Sequence, residues 1–120
     1  MGSRVAPALE LKMLTQAGVN PVLGLSEAKF QSKVTALATA EGWEWFHVYD
    51  SRLCPAGFPD LVVIRTGVLV VAELKVGRNK TTADQEKWLA LFESIAGTRV
   101  FRWRPEHWFA IYAELTGKRN

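Results

Sequence analysis

The spacing of apolar residues changes along the chain, and each change marks an element. Phe30, Val34, Leu37 and Ala38 recur at helical spacing. Ser26 before them is a favoured N-cap and Gly42 after them stands at the expected stop, which predicts a helix over about 26–41. Trp43 to Tyr49 is rich in aromatics and predicts a strand. Asp50 to Gly57, with Cys54-Pro55 inside it, reads as a loop. Pro59 to Arg65 and Val68 to Lys75 are nearly unbroken apolar runs joined by Thr66-Gly67, and together they predict a hairpin. Such runs mark strands covered on both faces by helices. After a basic loop, Gly77 to Lys80, a cap at Thr81 or Thr82 opens a helix to about Ala96, stopped by Gly97. Arg99 to Trp103 predicts a fourth strand, and Pro105 begins a last helix to about Leu115. The order predicts an α/β fold, a mixed sheet with helices on both faces.

The first 25 residues fit less well. Leu9, Leu11, Met13 and Leu14 predict a short helix ended by Gly18, and Asn20-Pro21 then breaks the chain. Residues 1–25 read as a helical arm, packed on the domain or on another subunit, and 26–120 as the domain itself.

Composition narrows the class. One hundred and twenty residues make one ordinary domain, and 48 % hydrophobic with 22 % charged residues is a globular profile. The longest apolar run, Val68 to Ala72, is far below the ~20 residues of a membrane helix. The N-terminus does not have a signal-peptide pattern, and Ala6 breaks a myristoylation motif. A single cysteine, Cys54, excludes an internal disulfide and a zinc site of several thiolates, and predicts a reducing, cytoplasmic compartment. A net charge of +3 describes either a solvated basic surface or a polyanion partner. Five tryptophans serve either the core or the stacking of bases.

The candidate chemistry lies where the hairpin opens. Alternation puts Glu73 and Lys75 on one face and Leu74 on the other. The pair is either a strand frayed into solvent or a site. Asp60 begins the neighbouring run, and a hairpin centred on Thr66-Gly67 sets it opposite Glu73. Asp60 is then a turn residue after Pro59 or the second carboxylate of a site. Two carboxylates beside a lysine suit a hard divalent cation, which takes oxygen ligands, water and substrate phosphate. Such a centre serves phosphodiester hydrolysis.

These residues resemble the PD-(D/E)XK nuclease pattern, with Pro59-Asp60 as its first half and Glu73-Leu74-Lys75 as its second. The closer resemblance is to the virus-type replication-repair nuclease (VRR-NUC) family. It rests on Asp50-Ser51-Arg52, Gly57-Phe58-Pro59-Asp60, Glu73-Leu74-Lys75, Gln85 and Trp103-Arg104-Pro105 in that order, within about residues 26–116. The resemblance implies a restriction-endonuclease-like core of about four strands flanked by helices, in the order αβββαβ. It implies Asp60 and Glu73 as metal carboxylates, the main-chain carbonyl of Leu74 as a further ligand, and Lys75 as the catalytic lysine. It implies Glu27 as the acidic residue of the first helix, joining the metal set, and Gln85 as an active-site glutamine. The cofactor implied is Mg2+ or Mn2+, and the partner is DNA. Stand-alone members imply a homodimer that cuts branched DNA such as four-way (Holliday) junctions.

Several of these residues have a second explanation. Glu27 lies on the inward stripe with Phe30 and Val34, and is equally a first-turn acid favoured by the helix dipole. Gln85 shares a stripe with Trp88, Leu89 and Phe92, and also completes a capping box with Thr82. Arg52, Arg78 and Lys80, with Ser51, stand on loops at the acidic end of the sheet, as phosphate contacts or as solvated surface. Arg102 and Arg104 flank Trp103 as further candidates. His47 reads as a core residue, Cys54 as structural and His107 as surface. The competing functions are a nuclease for flaps, nicks or single strands, and a DNA-binding module without catalysis.

Overall fold

A computed structural model of the chain describes residues 6–47 and 54–117. Its elements are α1 (Ala6–Gln16), α2 (Glu27–Ala40), β1 (Glu44–His47), β2 (Leu61–Arg65), β3 (Val68–Leu74), α3 (Ala83–Glu93), β4 (Thr98–Trp103) and α4 (Trp108–Thr116). A single 3-10 turn over Pro105–His107 leads into α4. The last helix therefore starts later than the sequence suggests, because the His107 N–H closes a tight turn onto the Arg104 carbonyl at 2.8 Å. α3 also stops short of Ala96: Ser94 ends it, its hydroxyl donating to the Leu91 carbonyl at 2.6 Å.

The four strands form one mixed sheet in the order β1-β2-β3-β4. β1 and β2 pair antiparallel, β2 and β3 pair antiparallel, and β3 and β4 run parallel. In the hairpin Leu61 faces Ala72 and Arg65 faces Val68, the register that the Thr66-Gly67 turn dictates. The chain is thus an α/β protein, with a four-stranded mixed sheet and four α-helices among the described residues.

One face of the sheet carries most of the core. Leu61 and Val63 of β2 and Val70, Ala72 and Leu74 of β3 pack with Phe30, Val34 and Leu37 of α2 and with Ile111 and Leu115 of α4. Each such fully buried side chain contributes roughly 1.5–3 kcal/mol of transfer free energy. The expected arm belongs to this same core, since Ala8 and Leu11 of α1 are buried in it. Its buried stripe is Ala8, Leu11 and Thr15, whereas Leu9 and Met13 face solvent. Trp43 and Trp108 are fully buried and satisfied, their indole N–H groups donating at 2.8 Å to the Leu115 carbonyl and the Thr15 hydroxyl.

The other face is only partly covered. α3 lies over β3 and β4, where Val71 and Leu89 are buried. Beyond it Phe46 is 59 % exposed and Ile64 51 % exposed, so the unbroken apolar run of β2 is not covered on both sides as expected. A single 11-residue helix spans too little of the sheet to shield all four strands. No helix among the described residues is long and apolar enough to cross a membrane.

Candidate active site

The open end of the hairpin brings two carboxylates together. Continuing the register past Leu61 and Ala72 sets Asp60 beside Glu73. The Asp60 N–H donates to Glu73 Oε1 at 3.3 Å, and the Leu74 N–H donates to Asp60 Oδ2 at 3.0 Å. The N–H and C=O of one strand residue point to the same side, so the Leu74 carbonyl also faces the Asp60 side. The Lys75 N–H bonds instead to the Trp103 carbonyl of β4 at 3.0 Å, anchoring the strand beyond Leu74. Its ammonium then lies 3.5 Å from Glu73 Oε2.

Gln85 closes the capping box and also touches Glu73. Its Oε1 accepts from the Thr82 N–H at 2.8 Å, and its own N–H donates to the Thr82 hydroxyl at 3.1 Å, which closes the capping box of α3. Its Nε2 donates to Glu73 Oε2 at 2.7 Å. The helix start and the buried carboxylate are therefore fixed by one amide.

The loop that carries Asp60 is clamped onto α3. Gly57 has a φ of +81°, and a Cβ there would meet the Asp84 backbone at 2.4 Å. The Trp88 indole donates to the Ala56 carbonyl at 3.1 Å, and Phe58 packs edge-on against Trp88 with ring centres 5.2 Å apart. Nothing in the local sequence announces this close approach. A glycine two residues before a proline is a turn signal, not a contact signal.

The electrostatics single out Glu73. It is 1 % exposed, and burial, reinforced by the neighbouring Asp60 charge, pushes its carboxyl up to about 8 against the opposing pull of Lys75. Glu27, half-buried in the first turn of α2, is also raised, by burial and then by Asp60, with Lys75 again opposing. Burial lowers His47, and Asp60 opposes that shift. Asp60 is thus felt from α2, β1 and β3, which converge at this end of the sheet.

This donor set fits a hard divalent cation. When both are ionised, two carboxylates and one ammonium leave local negative charge, and all the side-chain and main-chain ligands on offer are oxygens. Asp60, Glu73 and the Leu74 carbonyl would hold such an ion. Among the described residues no three His, Cys, Asp or Glu side chains gather closely enough to bind a metal by themselves. Glu27 therefore shares the electrostatics of the site without forming a three-carboxylate cluster. Magnesium in particular makes do with one or two carboxylates and fills its shell with water and phosphate.

The basic candidates divide. Arg78 and Lys80 are exposed on the segment after β3. Arg52 and Ser51, with Asp50, lie outside the described residues. Arg102 and Arg104 matter more than sequence reasoning assigned. Arg102 grips Glu86 through two hydrogen bonds of 2.8 and 2.6 Å, and Arg104 holds the carbonyls of Gly77 and Asn79. His107, exposed as expected, accepts the Arg104 N–H on Nδ1 at 3.1 Å. The parallel register that aligns Arg102 with Glu73 joins strands separated by a whole helix, and no turn between them signals it.

Comparison of the chain with family models, with curated proteins and with solved structures found no match.

Proposed function

We propose that the chain is a metal-dependent DNA endonuclease with a restriction-endonuclease-like core, of the PD-(D/E)XK and VRR-NUC kind. The observation that carries this reading is the pairing of half-buried Asp60 with buried Glu73 at the open end of a hairpin, faced by Lys75 at 3.5 Å. A buried carboxylate beside another carboxylate costs stability in a purely structural role. Such a pair fits a centre that gains from cation binding.

A bound Mg2+ or Mn2+ would polarise the phosphodiester and acidify a coordinated water. Asp60 and Glu73 supply the anionic oxygens that hold it, and the main-chain carbonyl of Leu74 adds a neutral one. Gln85 fixes Glu73 Oε2 and so the orientation of the carboxylate. Lys75, with a side chain only 15 % exposed, orients the attacking water and offsets charge developing on the phosphate. Water adds to phosphorus as the bond to the leaving oxygen breaks; one water proton passes to solvent and the leaving oxygen takes up a proton from solvent. Glu27 adds negative charge from the α2 side.

The substrate we propose is branched DNA, with a four-way junction cut by a homodimer. Two sites related by a two-fold axis suit a near-symmetric junction. The test is incubation of the purified chain with labelled four-way junction, flap, nicked duplex and single strand, in magnesium, manganese or EDTA. Cleavage of the junction in either metal and none in EDTA is expected. Binding without breakage in every metal would leave a DNA-binding module instead.

A further inference from the structure

We propose that a recess on the β4 side of Lys75 binds a second phosphate group of the nucleic acid, next to the one that is cleaved; this rests on the nuclease reading above. The recess has a volume of about 400 Å3 and is lined by Lys75, Lys80, Thr81, Arg102, Arg104 and His107. Four of these side chains are cationic and none is a carboxylate.

The donors face it in a prepared arrangement. Arg102 spends one edge on Glu86, at 2.6 and 2.8 Å, with Glu93 a further 3.9 Å from the same nitrogen, which holds the guanidinium still and leaves its other terminal nitrogen for a ligand. Thr81 braces the same glutamate, donating to Glu86 Oε2 at 2.5 Å. Arg104 donates to the carbonyls of Gly77 and Asn79, tying the loop after β3 to the end of β4. That leaves three of its five N–H groups. His107 accepts the Arg104 N–H on Nδ1, so its ring proton sits on Nε2 as a donor. Lys80 makes no hydrogen bond or ion pair among the described residues and is exposed at the rim.

Clustered guanidinium and ammonium donors with no lining acid suit a phosphate group, which accepts through several oxygens at once. Lys75 belongs both to this recess and to the carboxylate centre, 3.5 Å from Glu73. A strand whose scissile phosphate meets Asp60 and Glu73 therefore carries an adjacent phosphate into the recess. That group is either an internal phosphodiester or a terminal monoester.

The test needs no catalysis. Binding of fluorescent single strands with 5′-phosphate, 3′-phosphate or hydroxyl ends is measured by anisotropy in EDTA across a salt series. The proteins compared are the wild-type chain, Lys80→Ala and Lys33→Ala, the last removing an equal charge from α2. Lys80 is exposed and Lys33 half-buried with no ion pair among the described residues, so both variants should fold. Lys80→Ala should lower the slope of log K against log salt by about one. Inorganic pyrophosphate should compete with the strand on the wild-type chain and less on Lys80→Ala. Tighter binding of one phosphorylated end assigns the recess to a terminal monoester; equal binding of all ends with the same loss of slope assigns it to an internal phosphodiester. An unchanged slope in Lys80→Ala, or an equal fall in Lys33→Ala, overturns the proposal. Loss of slope in a chain that never cuts DNA would uphold the recess while removing the nuclease reading. Cleavage with an unchanged slope would do the reverse.

Discussion

Glu73 and Glu86 each face a basic side chain, yet their carboxyls shift in opposite directions. Glu86 is on the surface, its side chain 43 % exposed, and Arg102 and Thr81 hold it at 2.5 to 2.8 Å. Those hydrogen bonds hold it down at about 2. Glu73 is buried, has Lys75 no closer than 3.5 Å and shares its site with Asp60, and its carboxyl rises to about 8. A nearby cation is therefore not enough. The surface pair is complete in itself, whereas burial and the Asp60 charge oppose ionisation of Glu73, and a divalent cation would supply the charge that makes the ionised pair favourable.

The largest effect expected is on chemistry at the buried centre. Lys75→Ala should reduce metal-dependent cleavage by about 10²–10³-fold while keeping most DNA binding in EDTA. Gel assays of both properties on one preparation check it, and full cutting by the variant would remove Lys75 from the reaction.

The next effect is the pH dependence of stability, where the two glutamates should pull in opposite senses. The raised carboxyl of Glu73 means that the folded state holds its proton more tightly than the unfolded chain. Its contribution is therefore present at low pH and is lost as pH rises from about 4.5 towards 8. The depressed carboxyl of Glu86 contributes above about 4.5 and is lost as pH falls towards 2. Thermal midpoints of the metal-free chain should fall by roughly 5 °C between pH 5 and pH 8. Glu73→Gln should flatten that decline, and Glu86→Gln should leave it in place.

A smaller effect is expected at the loop clamped onto α3. Gly57→Ala puts a side chain at positive φ and against the Asp84 backbone, so it should cost about 1–3 kcal/mol in denaturant unfolding. It should also weaken cleavage, because the same loop carries Asp60. The smallest belongs to the surface. Glu86→Gln should change stability at neutral pH by at most about 1 kcal/mol, the scale of an exposed ion pair.

What could be read from the chain follows the reach of local rules. The Thr66-Gly67 turn fixes the β2–β3 register, and with it the meeting of Asp60 and Glu73. Alternation puts Lys75 on the face of Glu73, and the Thr82–Gln85 spacing gives the start of α3. The rest depends on contacts between distant segments. Parallel pairing of β3 with β4 crosses a helix, so Arg102 and Arg104 could not be placed beside Lys75 from spacing alone. The buried stripe of α1 is built from Ala8, Leu11 and Thr15, and two of these are too weakly apolar to stand out beside Leu9 and Met13. The exposure of Ile64 follows from the short span of α3, a length that the β2 sequence does not encode.

The central claim, that Asp60 and Glu73 form one cation centre, is tested most directly by calorimetric titration of the metal-free chain with Mn2+ near pH 7, beside Asp60→Asn. The account predicts saturable binding by the wild-type chain, with protons released as the ion enters, and strong weakening in the variant. Equal Mn2+ affinity in the two proteins, or no binding by either, would contradict it.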